Sequence, residues 1–197
     1  MSAVPLPLAV LVSGGGRSLA NLLERIAAGT LPATIRLVVA SRPGLRAEAL
    51  ARRAGLPVTI LPREGREPIG WSDAVFSACR EAGARWVVMA GWLHLLPIPA
   101  DFARRTINIH PALLPAFGGR GFYGRRVHAA VIERGCTVSG CTVHLVDDVY
   151  DHGPILLQRT VPVLPDDTAD SLAARVFAAE CIALPEAIAR IASGTLP

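Results

Sequence analysis

No lysine occurs among the 197 residues; all 20 basic positions are arginine. This absence excludes Schiff-base and pyridoxal chemistry on a lysine, and it excludes the lysine of a P-loop. Arginine then does all the work that lysine usually shares, which weakens inference from any one arginine. The arginines are dispersed, with no basic run. With a formal charge of +4, the chain points to a small anionic substrate and not to nucleic acid. No apolar run reaches the ~18 residues needed to span a bilayer, so no membrane partner is expected. The opening stretch MSAVPLPLAVLVSGGG lacks a basic leader, and its apolar run reads as a strand. A cytoplasmic protein is the expectation. Cys79, Cys136, Cys141 and Cys181 form no CxxC pair, which argues against zinc ribbons and redox dithiols and for buried free thiols. The 5 histidines show neither HxxH nor HExxH spacing, so no metal site is expected.

What is present is an alternation. LAVLVS (8–13), ATIRLVVAS (33–41), LPVTILP (56–62) and RWVVMAGW (85–92) read as strands. Helices are expected between them at about 18–28, over LRAEALARRAG, and at about 72–83. Such alternation argues for a parallel sheet covered on both faces. RTINIHP is a fifth strand, followed by the long loop PALLPAFGGRGFYG and a helix at about 124–134. CTVSGCTVHLVDD and PILLQRTVPVL read as two strands joined by VYDHGP, and a helix at about 168–192 closes the chain. With no repeat and no linker-like stretch, residues 1–197 read as one domain.

Three stretches carry candidate chemistry. In INIHPALLP (107–115), Asn108 and His110 alternate with isoleucines, so both point to one face, ~7 Å apart. Pro111 ends the ladder, because it has no N–H to give. An amide and a protonated imidazole are both donors, suited to an oxygen that develops negative charge. Alternatively the pair merely satisfies loop backbone. In SGGGRS (13–18), glycines Gly14, Gly15 and Gly16 precede Arg17 and Ser18 at a strand-to-helix turn. There a helix N-terminus can receive a phosphate. The dinucleotide fingerprint is incomplete, since Leu19 stands where the third glycine belongs, and strand two ends in Ala40-Ser41-Arg42 without an acidic ribose ligand. Arg42 suits a 2′-phosphate, so an NADP-dependent reductase stays open here. In DDVYDHGP (147–154), Asp147, Asp148 and Asp151 can bind a hard cation, serve as turn residues, or supply one carboxylate to His110 and raise its pKa. His94 follows strand four. His128 and His144, in a helix and a strand, read as structural.

Together these stretches resemble glycinamide ribonucleotide formyltransferases, the folate-dependent enzymes of purine synthesis. The resemblance runs through LVSGGGRSLANLL, VVMAGWLHLLP, INIHPALLPAFGG, RGFYGRRVHAAVIERG, CTVSGCTVHLVDDVYDHGPILLQ and AAECIALPEAI. It implies an open, mainly parallel, Rossmann-like α/β sheet with helices on both faces. It also implies formyl transfer from 10-formyltetrahydrofolate, a co-substrate, to the glycinamide amine, with no metal. Asn108, His110 and Asp151 match the family's catalytic residues, and His144 a supporting histidine. The implied roles are an oxyanion held by Asn108 and protonated His110, with Asp151 keeping His110 charged and helping pass a proton to N10. Gly14 to Ser18 match the phosphate loop, but the family more often has Ser or Thr then Asn where Arg17 and Ser18 stand. Glu180 matches a ribose-binding glutamate, and Cys181 replaces a usual histidine. Leu93, His94, Leu95 and Leu96 match a stretch whose backbone holds the folate pteridine. A folate-contacting arginine has no ungapped match, since Ile69 lies there; Arg66, or else Arg63, takes its place. Related methionyl-tRNA, sugar and hydrolase enzymes carry a further domain, so the length favours the glycinamide enzyme, as a monomer or homodimer. The alternatives are a formyltransferase for another small amine and, less well matched, the reductase.

Overall fold

The computed structural model describes residues 4–196; Met1 to Ala3, the start of the stretch read for a leader, lie outside it, as does Pro197. Strands β1 (Leu6–Val12), β2 (Ala33–Ala40), β3 (Val58–Ile60), β4 (Trp86–Met89), β5 (Thr106–His110), β6 (Val138–Leu145) and β7 (Ile155–Pro162) form one sheet in the order β3-β2-β1-β4-β5-β6-β7. β1 to β5 pair in parallel, whereas β5–β6 and β6–β7 are antiparallel. The sheet is α/β and mainly parallel, as the alternation predicts.

The apolar runs of β1, β2 and β4 are buried because both faces are covered. On one face Leu8, Val10 and Val12 pack with Leu19 and Leu22 of α1 (Arg17–Ala27), Ala47 and Ala51 of α2 (Arg46–Arg53), Val131 of α4 (Arg125–Glu133) and Val176 of α5 (Ala169–Ala192). On the other, Ala9, Leu11, Val87 and Met89 pack with Trp71, Val75 and Phe76 of α3 (Pro68–Glu81). α3 starts four residues before the expected 72, because Pro68 can occupy the first helical turn without losing a hydrogen bond. β3 and β4 are shorter than the apolar runs that contain them; past β4 the chain turns at Gly91, with φ 78. Thr168 caps α5 in a capping box with Ser171.

From β1 the chain winds outward to β3, then returns through α3 to β4 on the opposite side of β1. The order therefore reverses between β1 and β4, and the carboxyl ends of these two strands open a crevice suited to ligands. No described helix is long and apolar enough to cross a membrane.

Candidate active site

A cavity of about 650 Å³ lies at that crevice. Its walls come from the β1–α1 turn, the segment after β4, the end of β5, the loop Gly119–Gly124, the β6–β7 turn and α5. At one end stand Arg17, Ser18, Phe177 and Glu180; at the other stand Asn108, His110 and Asp151.

The first end is built by the glycine turn. Gly16 has φ 78, and a Cβ on it would lie 2.8 Å from Ala47, so both conformation and packing demand glycine. Gly15 faces the end of the flexible Arg46 side chain, 3.1 Å from where its Cβ would lie. Of the three glycines, only Gly14 lines the cavity; Gly15 and Gly16 shape the turn from behind. The first intrahelical bond runs from Ala20 N–H to the Gly16 carbonyl (2.9 Å), so the Arg17, Ser18 and Leu19 N–H groups head the helix without intrahelical acceptors. The Arg17 guanidinium lies 3.5 Å from the centroid of the Phe177 ring. Beside it, burial pushes the Glu180 carboxyl up to about 7, with Arg17 pulling the other way.

The second end is a cluster of four polar side chains. Asn108 and His110 share a face of β5, opposite His144 and Thr142 of β6. Asp151 follows β6 in a turn, with φ 53, a conformation that aspartate tolerates better than most residues. Its Oδ1 accepts from Asn108 Nδ2 (3.3 Å) and its Oδ2 from the Gly119 N–H (2.9 Å). Oδ2 also lies 3.4 Å from His110 Nδ1, and Oδ1 3.7 Å from His144 Nε2.

The proton positions follow from the partners. His144 Nδ1 donates to the Leu145 carbonyl (2.8 Å), which leaves Nε2 as an acceptor for Asn108 Nδ2 (3.1 Å). Both amide hydrogens of Asn108 are thereby engaged within the cluster, and Oδ1 is its remaining polar atom. His110 Nε2 donates to the Phe117 carbonyl (2.8 Å), so Nδ1 is the atom turned to Asp151.

The charge state of His110 corrects an expectation. Its side chain is 4% exposed, and burial pulls its pKa below the ordinary 6.5, outweighing the opposite effects of the Asp151 carboxylate and the Phe117 carbonyl. His110 therefore takes up a proton less readily than a free imidazole. Burial alone would raise Asp151, but the His144 and His110 rings, in so far as they carry protons, and the Gly119 N–H more than offset it, and its carboxyl sits below the ordinary value.

Thr142 anchors the loop after His110. Its buried hydroxyl donates to the Ala112 carbonyl (2.7 Å) and accepts from the Leu114 N–H (3.0 Å) and Gln158 Nε2 (2.9 Å).

The other two aspartates of the turn go elsewhere. Asp147 pairs with His152 (2.8 Å), and Asp148 accepts the Ile98 N–H (3.2 Å). Among the described residues, no three His, Cys, Asp or Glu side chains form a metal-holding group.

A second, small cleft of about 40 Å³ lies across Asn108 and Asp151 from the first and contains His94, Leu95 and Leu96. Leu93 lines the large cavity. The Leu95 N–H donates to the hydroxyl of Tyr150 (2.9 Å), whose side chain borders both cavities. His94 meets Trp71 and Trp92 edge-on. Arg66 is exposed and lines neither cavity, because its N–H closes a turn onto the Arg63 carbonyl (3.0 Å) and its side chain leaves the site. Arg63 likewise lines neither cavity but is half-buried, 5.9 Å from the Trp71 ring centroid. Tyr150 and Phe177 carry no signal in the sequence, each being one aromatic position in a turn or helix, and His128, which reads as structural there, lines the cavity instead.

This fold and site define an α/β protein whose cavity joins an open helix start to a His–Asp pair. Residues 6–188 match the formyl transferase family, and the chain belongs to it. It is 44% identical over 173 residues to the chloroplastic phosphoribosylglycinamide formyltransferase of Vigna unguiculata, covering 86% of this chain and 55% of that protein. It is 30% identical over 192 residues to phosphoribosylglycinamide formyltransferase of Haemophilus influenzae, covering 96% and 88%. Its structure matches the crystal structure of glycinamide ribonucleotide transformylase 1 from Symbiobacterium toebii with a TM-score of 0.90 at 34% identity, over 96% and 89% of the two chains. The chain spans 55% and 60% of the lengths of two chloroplastic relatives, from Vigna unguiculata and Arabidopsis thaliana.

Proposed function

We propose that the chain transfers the formyl group of 10-formyltetrahydrofolate to the amine of glycinamide ribonucleotide, a step of purine biosynthesis. The observation that carries this reading is the two-ended cavity: an anion-binding helix start with Arg17 at one end, and Asn108, His110 and Asp151 at the other. Residues 1–197 act as one formyltransferase domain on two small molecules, in the cytoplasm and without a metal; the family and the named relatives support the chemistry.

The phosphate sits at the start of α1 against the Arg17 and Ser18 N–H groups, with the Arg17 side chain as a charge-assisted donor and Glu180 on the ribose. The amine attacks the formyl carbon, and the carbonyl oxygen becomes an oxyanion. His110 Nδ1 takes the proton that the amine loses, which the nearby Asp151 carboxylate favours. The C–N10 bond then breaks, and N10 receives a proton from His110, directly or through water, which returns the ring to neutral. Because burial disfavours the charged ring at rest, His110 starts as a base and turns acid within the cycle. Once charged, it faces the oxyanion and stabilises it. Asn108 has both amide hydrogens engaged by His144 and Asp151, so its first role is to hold that pair; it reaches the oxyanion when the Asp151 contact loosens. The pteridine enters the small cleft along Leu93 to Leu96, with Arg63 outside it, and Tyr150 swings away to admit it.

Formyl transfer is followed by the absorbance of the deformylated folate, with and without glycinamide ribonucleotide. Release that requires the ribonucleotide is expected. Release without it, or none with it, overturns the reading. A formyltransferase for another small amine is the second reading, favoured by Arg17 in the phosphate turn, and the same assay with other amines separates the two.

A further inference from the structure

His128 stands in the first turns of α4, is 4% exposed, and lines the large cavity. The other buried histidines are hydrogen-bonded: His110 to Phe117, His144 to Leu145 and Asn108. His128 is not. Its Nδ1 is sealed from solvent with no partner. Among the described residues Nε2 has no partner either, but it is not sealed, which makes it the nitrogen that opens to the cavity. A buried polar group left unpaired typically costs about 1–3 kcal/mol, and native structures rarely carry one without a reason.

The tautomer can be reasoned from that geometry. A bare lone pair is cheaper to seal in than an N–H, because orphaned buried donors are the rarer case. The proton therefore resides on Nε2, pointing into the cavity. Burial and the nearness of His110 keep the ring neutral. His128 is thus an uncharged donor without an acceptor. It belongs to α4, which packs on α5, and it lines the cavity together with nearby His110 and with Val176 and Phe177 of α5. The phosphate end already has Arg17 and the start of α1, and the reacting end has Asn108, His110 and Asp151. His128 adds to the same wall a neutral donor that belongs to neither group.

We propose that His128 is a substrate-contacting residue whose Nε2–H donates to the carboxamide oxygen that links the ribose to the amine. The inference rests on the reading given under Proposed function. A donor at that oxygen fixes the direction in which the amine points, and so selects amines that carry a carboxamide one carbon away.

The test uses the whole chain, with glycinamide ribonucleotide alone in calorimetric titration and with both substrates at steady state. His128→Phe keeps the ring and removes the donor. It should raise Kd and KM for the ribonucleotide about tenfold, the equivalent of one lost hydrogen bond of ~1.4 kcal/mol, and leave KM for the folate unchanged. His128→Gln restores a neutral donor and should recover most of the affinity, which a purely space-filling role would not. In ¹⁵N-labelled wild-type protein, the His128 Nε2 signal should shift when the ribonucleotide is added. An unshifted signal overturns the inference even if the phenylalanine variant does not fold. So does a His128→Phe protein that binds the ribonucleotide as wild type does, or that weakens both substrates equally. Wild-type protein that does not bind the ribonucleotide at all overturns the functional reading, and the inference falls with it.

Discussion

Asp151→Asn changes one atom and should disturb two functions. In the wild type both carboxylate oxygens accept, Oδ1 from Asn108 Nδ2 and Oδ2 from the Gly119 N–H. An amide has one oxygen. Whichever way it turns, one donor faces an NH₂ group. Asn108 cannot flip to compensate, because His144 Nε2 also needs its N–H. An unpaired buried donor costs about 1–3 kcal/mol. At roughly 2–4 °C per kcal/mol for a domain of this size, Tm should fall by about 2–12 °C. The larger effect is catalytic. The negative charge 3.4 Å from His110 Nδ1 is lost, so the ring takes up the amine proton less readily. A fall in kcat of about 10²- to 10⁴-fold follows, the usual scale for acid–base help, with smaller changes in both KM values. The ring-proton titration of His110 by NMR should move further below 6.5, since the carboxylate opposes the effect of burial. Near-wild-type kcat together with an unmoved His110 titration would show Asp151 to be only a turn residue, and would refute the proposed proton path.

Arg17→Ala should raise KM for the ribonucleotide and leave the folate KM nearly unchanged, because the guanidinium held against Phe177 stands at the phosphate end alone; equal losses for both substrates would misplace the phosphate. Thr142→Val orphans the Leu114 N–H and the Ala112 carbonyl, which should cost about 2–6 kcal/mol by two unmet partners and lower kcat by loosening the loop; urea unfolding with an unchanged midpoint would count against it. Burial holds His94, His110 and His128 below their unfolded value of 6.5. The unfolded chain binds these protons first, so stability should fall as pH drops through 6.5, and a Tm that rises from pH 7.5 to 5.5 would contradict the burial argument. Exhaustive EDTA should leave activity intact, since Asp147, Asp148 and Asp151 are each bonded to different protein donors; a loss restored by Mg²⁺, Mn²⁺ or Zn²⁺ would overturn the mechanism.

Much of this site is legible in the sequence because period and punctuation are local. The alternation in INIH places Asn108 and His110 on one face, and the glycines of SGGGRS mark a turn that ends at a helix start. The pairing of Asp151 with His110 is carried by the family resemblance, since spacing alone leaves three aspartates equal. What the sequence hides is what depends on burial and on distant partners. The charge of His110 is decided by desolvation, which no motif encodes. His128 reads as a helix-core residue until α5 packs beside it and leaves it facing the cavity. Tyr150 reads as a turn residue until its hydroxyl meets the Leu95 N–H. Arg66 and Arg63 are three residues apart, and a single turn decides which is half-buried and which exposed.

β5 is parallel to β4 on one side and antiparallel to β6 on the other. A slip of one residue against β6 would turn Ile107 and Ile109 toward the substrates and push Asn108 and His110 into the apolar layer. Correct threading and catalytic competence are therefore the same event: a misregistered chain is not a weak enzyme but an inactive one. Gly140 sets the approach of β6 to β7 and to the loop after His110, since any side chain there would overlap the Arg159 carbonyl of β7 and crowd Leu113. A bulky residue at this chemically silent position should lower activity by displacing the strand and loop that frame the site rather than any one reacting group.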